Sequence, residues 1–160
     1  MKRSWRVEIL PFLEYADLYG QYKKDEPWDS ENNKKVLAQM PPIFRHPSQA
    51  AKSTNTAVVA AYGPDLIFGE NDPDGTRGHE ITDGRAHTIM VLEAKTEIPW
   101  TKPEEIRIDL TQDKFPTFGF FPEGFFVAFA DGSVHFISNS IDRVKLKPFF
   151  TKAGGEPANF

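Results

Sequence analysis

Asp131-Gly132, set between two arms rich in Phe and Val, constrains this chain more than any other pair of residues in it. Both central positions of a two-residue type I′ turn need positive φ, which Asp-Gly adopts at little cost. The pair predicts a β-hairpin over 125–138 with Asp131 and Gly132 as its loop. In that register 130 faces 133, 129 faces 134, 128 faces 135 and 127 faces 136. Side chains alternate along a strand. One face then collects Phe125, Val127, Phe129, Val134 and Phe136, and reads as core. The other collects Phe126, Ala128, Ala130, Ser133, His135 and Ile137, a smaller and mixed surface.

Length bounds the rest. A chain of 160 residues predicts one globular domain, 1–160, able to bury roughly two-thirds of its unfolded surface. Fourteen Phe supply large apolar area, while 13 Pro and 11 Gly predict many irregular connections. A net charge of −4 argues against a nucleic-acid partner, which needs a basic patch. No apolar run reaches the ~18–20 residues of a membrane span, and the opening Met1-Lys2-Arg3-Ser4-Trp5 shows no secretory signal. With no Cys in the chain, disulfides, thiol nucleophiles and thiolate metal sites are excluded; the compartment is left open.

In chain order, Trp5, Ile9, Phe12 and Leu13, then Leu18 and Tyr22, recur at helical spacing over 4–22, with a bend at Pro11, which lacks a backbone donor. Ser30 is placed to cap a second helix reaching about Met40, and Pro41-Pro42 ends it. Residues 56–62 read as a strand closed by Gly63-Pro64. Residues 69–84 read as a long acidic surface loop, 87–94 as a central strand and 106–110 as an edge-like strand. A short helix near 147–153 is stopped by Gly154-Gly155. Helices first and strands afterwards favour an α+β fold over a parallel α/β sheet. The expected architecture is N-terminal helices packed on an antiparallel β-sheet.

Phe-Ala-Asp-Gly-Ser-Val-His-Phe-Ile, residues 129–137, resembles the signature of the prepilin-processing-associated domain, a bacterial family of unknown function. That motif is a His, nine residues, then Asp-Gly, often with Gly-Gly-x-Asn after the His. Here the His position is Phe121, the Asn position is Phe126, and of the Gly pair Gly124 remains after Glu123. The polar half of the motif is replaced, so no role of the family His carries over. Further likeness lies in Ser-Trp-Arg-Val at the start, in Phe44-Arg45-His46-Pro47-Ser48 (where His46 stands in place of a common Cys), and in Ile-Pro-Trp-Thr-Lys-Pro. The resemblance implies the globular head of a PulG-like type II secretion pseudopilin. It also implies an extracytoplasmic place, membrane-anchored or at the cell surface, with an N-terminal leader and hydrophobic helix that this sequence lacks. Self-association or pilin-like subunits are the partners so implied, and any membrane contact would run through the missing helix.

Candidate chemistry is sparse. Glu70-Asn71-Asp72-Pro73-Asp74-Gly75 crowds oxygen ligands as a calcium loop would, yet with Gly75 at position six the bidentate Glu of position twelve becomes Ile81. A solvated acidic loop is the better reading of 70–84. The pseudopilin resemblance keeps a calcium site outside the EF-hand pattern as the secondary one. His46, His79, His87 and His135 match no compact metal spacing. Adjacent Glu104-Glu105 point to different sides, and no G-x-S-x-G, G-x-G-x-x-G or P-loop occurs. The reading is a protein that is not an enzyme and carries no cofactor.

Among the aromatics, Phe121 and Phe126 stand out as candidate interface residues, since the hairpin face opposite Phe125-Val127-Phe129 must meet something. Trp28 and Trp100, in Pro-rich loops, are the candidate ligand contacts of the alternative reading, a solute- or carbohydrate-binding module. The leading expectation is a non-catalytic, pilin-like assembly head.

Overall fold

The computed structural model of the chain describes residues 3–70, 75–112, 115–116 and 118–156. The chain is α+β, and its contacts divide into two compact units: Met1–Ala57 with Thr96–Glu104, and Val58–Lys95 with Glu105–Phe160. The acidic segment 71–74, central to the calcium reading, lies outside the described residues.

The first unit is helical. Ser4 caps α1 (Trp5–Glu8), its hydroxyl accepting from the Arg6 amide. Pro11 follows in a 3-10 turn, Leu10–Leu13, that ends on Glu14 at φ 66°, and α2 (Ala16–Gln21) starts afresh beyond it. The break falls where the missing proline donor requires one. Ser30 caps α3 (Glu31–Leu37) by accepting from the Asn33 amide. Val7, Leu10, Leu18, Val36, Phe44 and Trp100 close a core of their own.

Two buried polar side chains hold this unit's loops. The Arg6 guanidinium, fully buried, donates from Nε to the Trp100 carbonyl at 3.0 Å and from one terminal nitrogen to the Lys102 and Glu104 carbonyls, each at 3.1 Å. The Asn33 amide closes the 23–27 loop. Its oxygen accepts from the Lys23 N–H at 2.8 Å, and its nitrogen donates to the Lys23 carbonyl at 3.0 Å and the Pro27 carbonyl at 2.8 Å.

The second unit is built on a sheet that, among the described residues, has five strands in the order β3-β1-β2-β4-β5. They are β1 (Val58–Tyr62), β2 (Ile89–Glu93), β3 (Ile106–Arg107), β4 (Gly124–Phe129) and β5 (Val134–Ser138). The pairs β1–β2, β2–β4 and β4–β5 are antiparallel, but β3 runs parallel to β1. The sheet is therefore mixed, a correction to the antiparallel expectation. Parallel neighbours need a long connection, and between β1 and β3 the chain runs through β2 and the 96–104 segment. Within the unit the buried face of β4 meets Phe118 and Phe149: Phe118 lies 5.0 Å from Phe125, and Phe149 lies 5.9 Å from Phe129, while Phe150 packs on Phe118 at 6.2 Å. The last helix, α4 (Arg143–Leu146), precedes the expected 147–153 range, which opens instead with a 3-10 turn at Lys147–Phe149. Gly154 and Gly155, read as a helix stop, instead donate their amides to the Asp83 carboxylate at 2.7 and 2.9 Å.

The hairpin forms, but its register is one residue from the expected one. Ala128 faces Val134, Val127 faces His135, Phe126 faces Phe136 and Phe125 faces Ile137. The Gly132 amide donates to the Phe129 carbonyl at 3.0 Å and the Phe129 amide to the Ser133 carbonyl at 2.9 Å. Gly132 sits at φ 89°, while Asp131 is not among the residues of positive φ. This is the three-residue loop in which a left-handed glycine closes the turn as a bulge, not type I′. Asp131 serves it differently: its carboxylate accepts from the Ser133 amide at 2.9 Å and hydroxyl at 2.7 Å. A one-residue slip exchanges the faces of a strand. Ile137 is buried at 2 % exposure, whereas Val134 and Phe136, expected in the core, stand at 63 % and 46 %.

Three outcomes follow from these contacts. Asn33→Ala leaves three part-buried backbone groups of the 23–27 loop without this partner and lowers stability by about 1–2 kcal/mol in urea unfolding; a loss under ~0.5 kcal/mol removes that role. Gly132→Ala meets open space and loses only the left-handed preference, about 1–2 kcal/mol, whereas at Gly124 a Cβ would lie 2.1 Å from the Ile137 carbonyl and Gly124→Ala separates β4 from β5. Finally, hydrogen bonds from the Ser133 hydroxyl and amide hold the Asp131 carboxyl below the usual aspartate range. The stabilisation is present above the unfolded pKa of ~3.9 and lost as pH falls through the lower folded value. Ser133→Ala raises the Asp131 midpoint in an NMR titration; an unmoved midpoint shows that the hydroxyl bond is not its cause.

Candidate functional site: an exposed aromatic face

The slipped register brings Val134 and Phe136 out beside Phe126 and Ala128 on the outer side of the hairpin. Gly119, at φ 76°, lies so close to β4 that a Cβ there would sit 2.5 Å from that of Phe125. This close turn divides the phenylalanine run, leaving Phe118 buried and Phe121 exposed. The Asn139 amide then fixes the segment, donating to the Phe121 and Pro122 carbonyls at 3.3 and 3.0 Å.

Three rings result, in mutual edge contact: Phe126 and Phe136 at 5.1 Å, Phe121 and Phe126 at 6.1 Å, Phe121 and Phe136 at 6.3 Å between centroids. Edge-to-face packing at such distances adds to area burial, yet Phe121, Phe126 and Phe136 remain 39 %, 44 % and 46 % exposed. At roughly 200 Å² per ring, the three with Val134 present an apolar patch on the order of 300 Å², at the lower end of the ~300–600 Å² spanned by a monomer's largest patch, which is often functional. Phe136 also lies across Gly124, which has no side chain to hold it off. Beside the rings a shallow groove of about 180 Å³ runs over Val58, Val91, Ala128 and Val134. The Glu93 carboxylate at its end accepts from the Phe126 amide at 3.4 Å.

Of the residues singled out from the sequence, Phe121 and Phe126 come together here. Asp131 and Gly132 shape the turn that sets the register. Phe136 was missed, because both faces of β5 are apolar enough for either register. The two tryptophans are placed differently. Trp100 is fully buried, stacked on Phe44 at 5.6 Å with its indole N–H donating to the Leu37 carbonyl, so it offers no ring face to a sugar. Trp28 is half-buried with the Lys102 ammonium 5.9 Å above its ring.

The histidines are dispersed. His46 is buried and its Nδ1 accepts from the Ser48 amide at 3.0 Å. His135 packs against Phe129 at 5.2 Å. His79 and His87 belong to separate 3-10 turns. Among the described residues no group of three or more His, Asp or Glu is arranged to hold a metal ion, and no helix is long and apolar enough to cross a membrane.

No curated protein and no solved structure matches the chain. Residues 1–112 match the model of a family described as protein of unknown function (DUF1559), under the short name SBP_bac_10. The match ends ahead of β4 and the aromatic face. Since it takes in well over half of the 160 residues, the chain belongs to this bacterial family of unknown function, DUF1559.

Proposed function

We propose that this chain is a non-catalytic head of a pilin-like, surface or secretion-associated assembly, acting through the outer aromatic face of its hairpin. The observation that carries the reading is the Phe121-Phe126-Phe136 cluster, three large apolar rings left substantially in water on one side of a well-paired hairpin. Hydrophobic burial is the main drive for association, and such rings, stiff and with few rotamers to lose, are favoured at contact centres. The resemblance to pseudopilin heads supports the same direction, and with it a site of action outside the cytoplasm, anchored to the membrane or at the cell surface. Family membership itself assigns no activity.

The test is self-association by analytical ultracentrifugation of the wild type against Phe121→Ser and Phe126→Ser. The expected result is association weakened at least tenfold, about 1.4 kcal/mol, with the melting temperature shifted by no more than about 4 °C. Unfolded variants would make these rings core residues, and folded variants that associate as well as the wild type would end the assembly reading.

A further inference from the structure

We infer that the partner of this face is a second copy of the same chain, joined edge to edge through β5 across a two-fold axis at Phe136. The inference rests on the assembly reading above and specifies its geometry.

Backbone direction comes first. The Phe129–Ser133 bond marks that pair as hydrogen-bonded. In an antiparallel ladder bonded pairs alternate, so Val127–His135 and Phe125–Ile137 are the bonded pairs that follow. The N–H and C=O groups of Val134 and Phe136 then point away from β4. Among the described residues no strand pairs with that side, since β5 ends the sheet. The free edge closes at Ser138, whose carbonyl accepts from the Ile141 amide at 3.0 Å.

Such an edge is ordinarily guarded by Lys, Pro, an inward charge or a covering loop. Val134-His135-Phe136-Ile137-Ser138 contains no Lys, Arg, Asp, Glu or Pro, and Val134 and Phe136 are exposed. An uncharged edge has nothing to recognise a charged partner with. It also lets two copies of a chain of net charge −4 approach where neither carries a like charge.

The patch by itself is small, so main-chain pairing along the edge must supply part of the contact. One patch on the order of 300 Å² is well short of the ~800 Å² per partner of a stable interface. An antiparallel match centred on Phe136 sets Val134 opposite Ser138 of the second copy and Phe136 opposite its own mate. The two outer faces then run together, and two clusters of three rings become one strip, with new main-chain hydrogen bonds beneath it.

The chain has no native cysteine, so single cysteines report the register. In the inferred dimer Phe136→Cys meets itself with Cα atoms about 5.5 Å apart, inside the ~4.4–6.8 Å span of a disulfide. Ser133→Cys lies about 20 Å from its mate at ~3.4 Å per residue. Under mild oxidation Phe136→Cys should form a covalent dimer and Ser133→Cys should not. In parallel, Val134→Pro removes an outward N–H while leaving the β4 ladder its bonds, and should weaken dimerisation at least tenfold in ultracentrifugation with circular dichroism unchanged. Equal cross-linking at both positions, or a folded Val134→Pro that dimerises like the wild type, overturns edge pairing. If Val134→Pro fails to fold, the cross-linking pair decides. Association lost in Phe126→Ser but kept in Val134→Pro sinks the edge and leaves the assembly reading standing. A wild type that stays monomeric removes both.

Discussion

A single left-handed residue, Gly132, decides which side of the hairpin each aromatic ring occupies. Because it closes a three-residue loop, β5 is set one position along from where a two-residue turn would put it. Side chains alternate with period two, so that one step exchanges the whole set. Ile137 goes in beside Phe125, and Val134 and Phe136 come out beside Phe126. The groove beside them and the unguarded edge inherit their character from that one backbone choice.

The helical unit depends on a different kind of constraint. Much of its chain is loop, and loops need partners for their backbone groups. Arg6 and Asn33 supply them from buried positions, each serving several main-chain groups that hydrophobic packing cannot satisfy. A buried guanidinium is expensive unless its donors are used, which is why the 96–104 return is drawn across it. Trp100 then fills the core while its one polar atom reaches the Leu37 carbonyl. What looked like a tryptophan available for a ligand is occupied in holding its own unit together.

Local chemistry made much of this legible. Ser30 caps the helix it precedes, Pro11 breaks the helix that contains it, and Gly132 turns the chain at the hairpin. The parallel placement of β3 was not legible, because two residues, Ile106 and Arg107, carry no direction. Phe136 was hidden for a sharper reason: Val134-His135-Phe136-Ile137 is apolar enough on either face that patterning cannot choose between registers.

The sequence by itself determined that Asp131-Gly132 reverses the chain, that helices precede strands, and that phenylalanine supplies the apolar mass. These follow from turn stereochemistry, proline and side-chain periodicity, all of which act over a few residues. Only the tertiary structure decided which phenylalanines are core and which are surface. That depends on a one-residue choice of register, whose energy comes from Ile137 meeting Phe125 in the core and from Phe149 packing on Phe129, contacts no local rule contains.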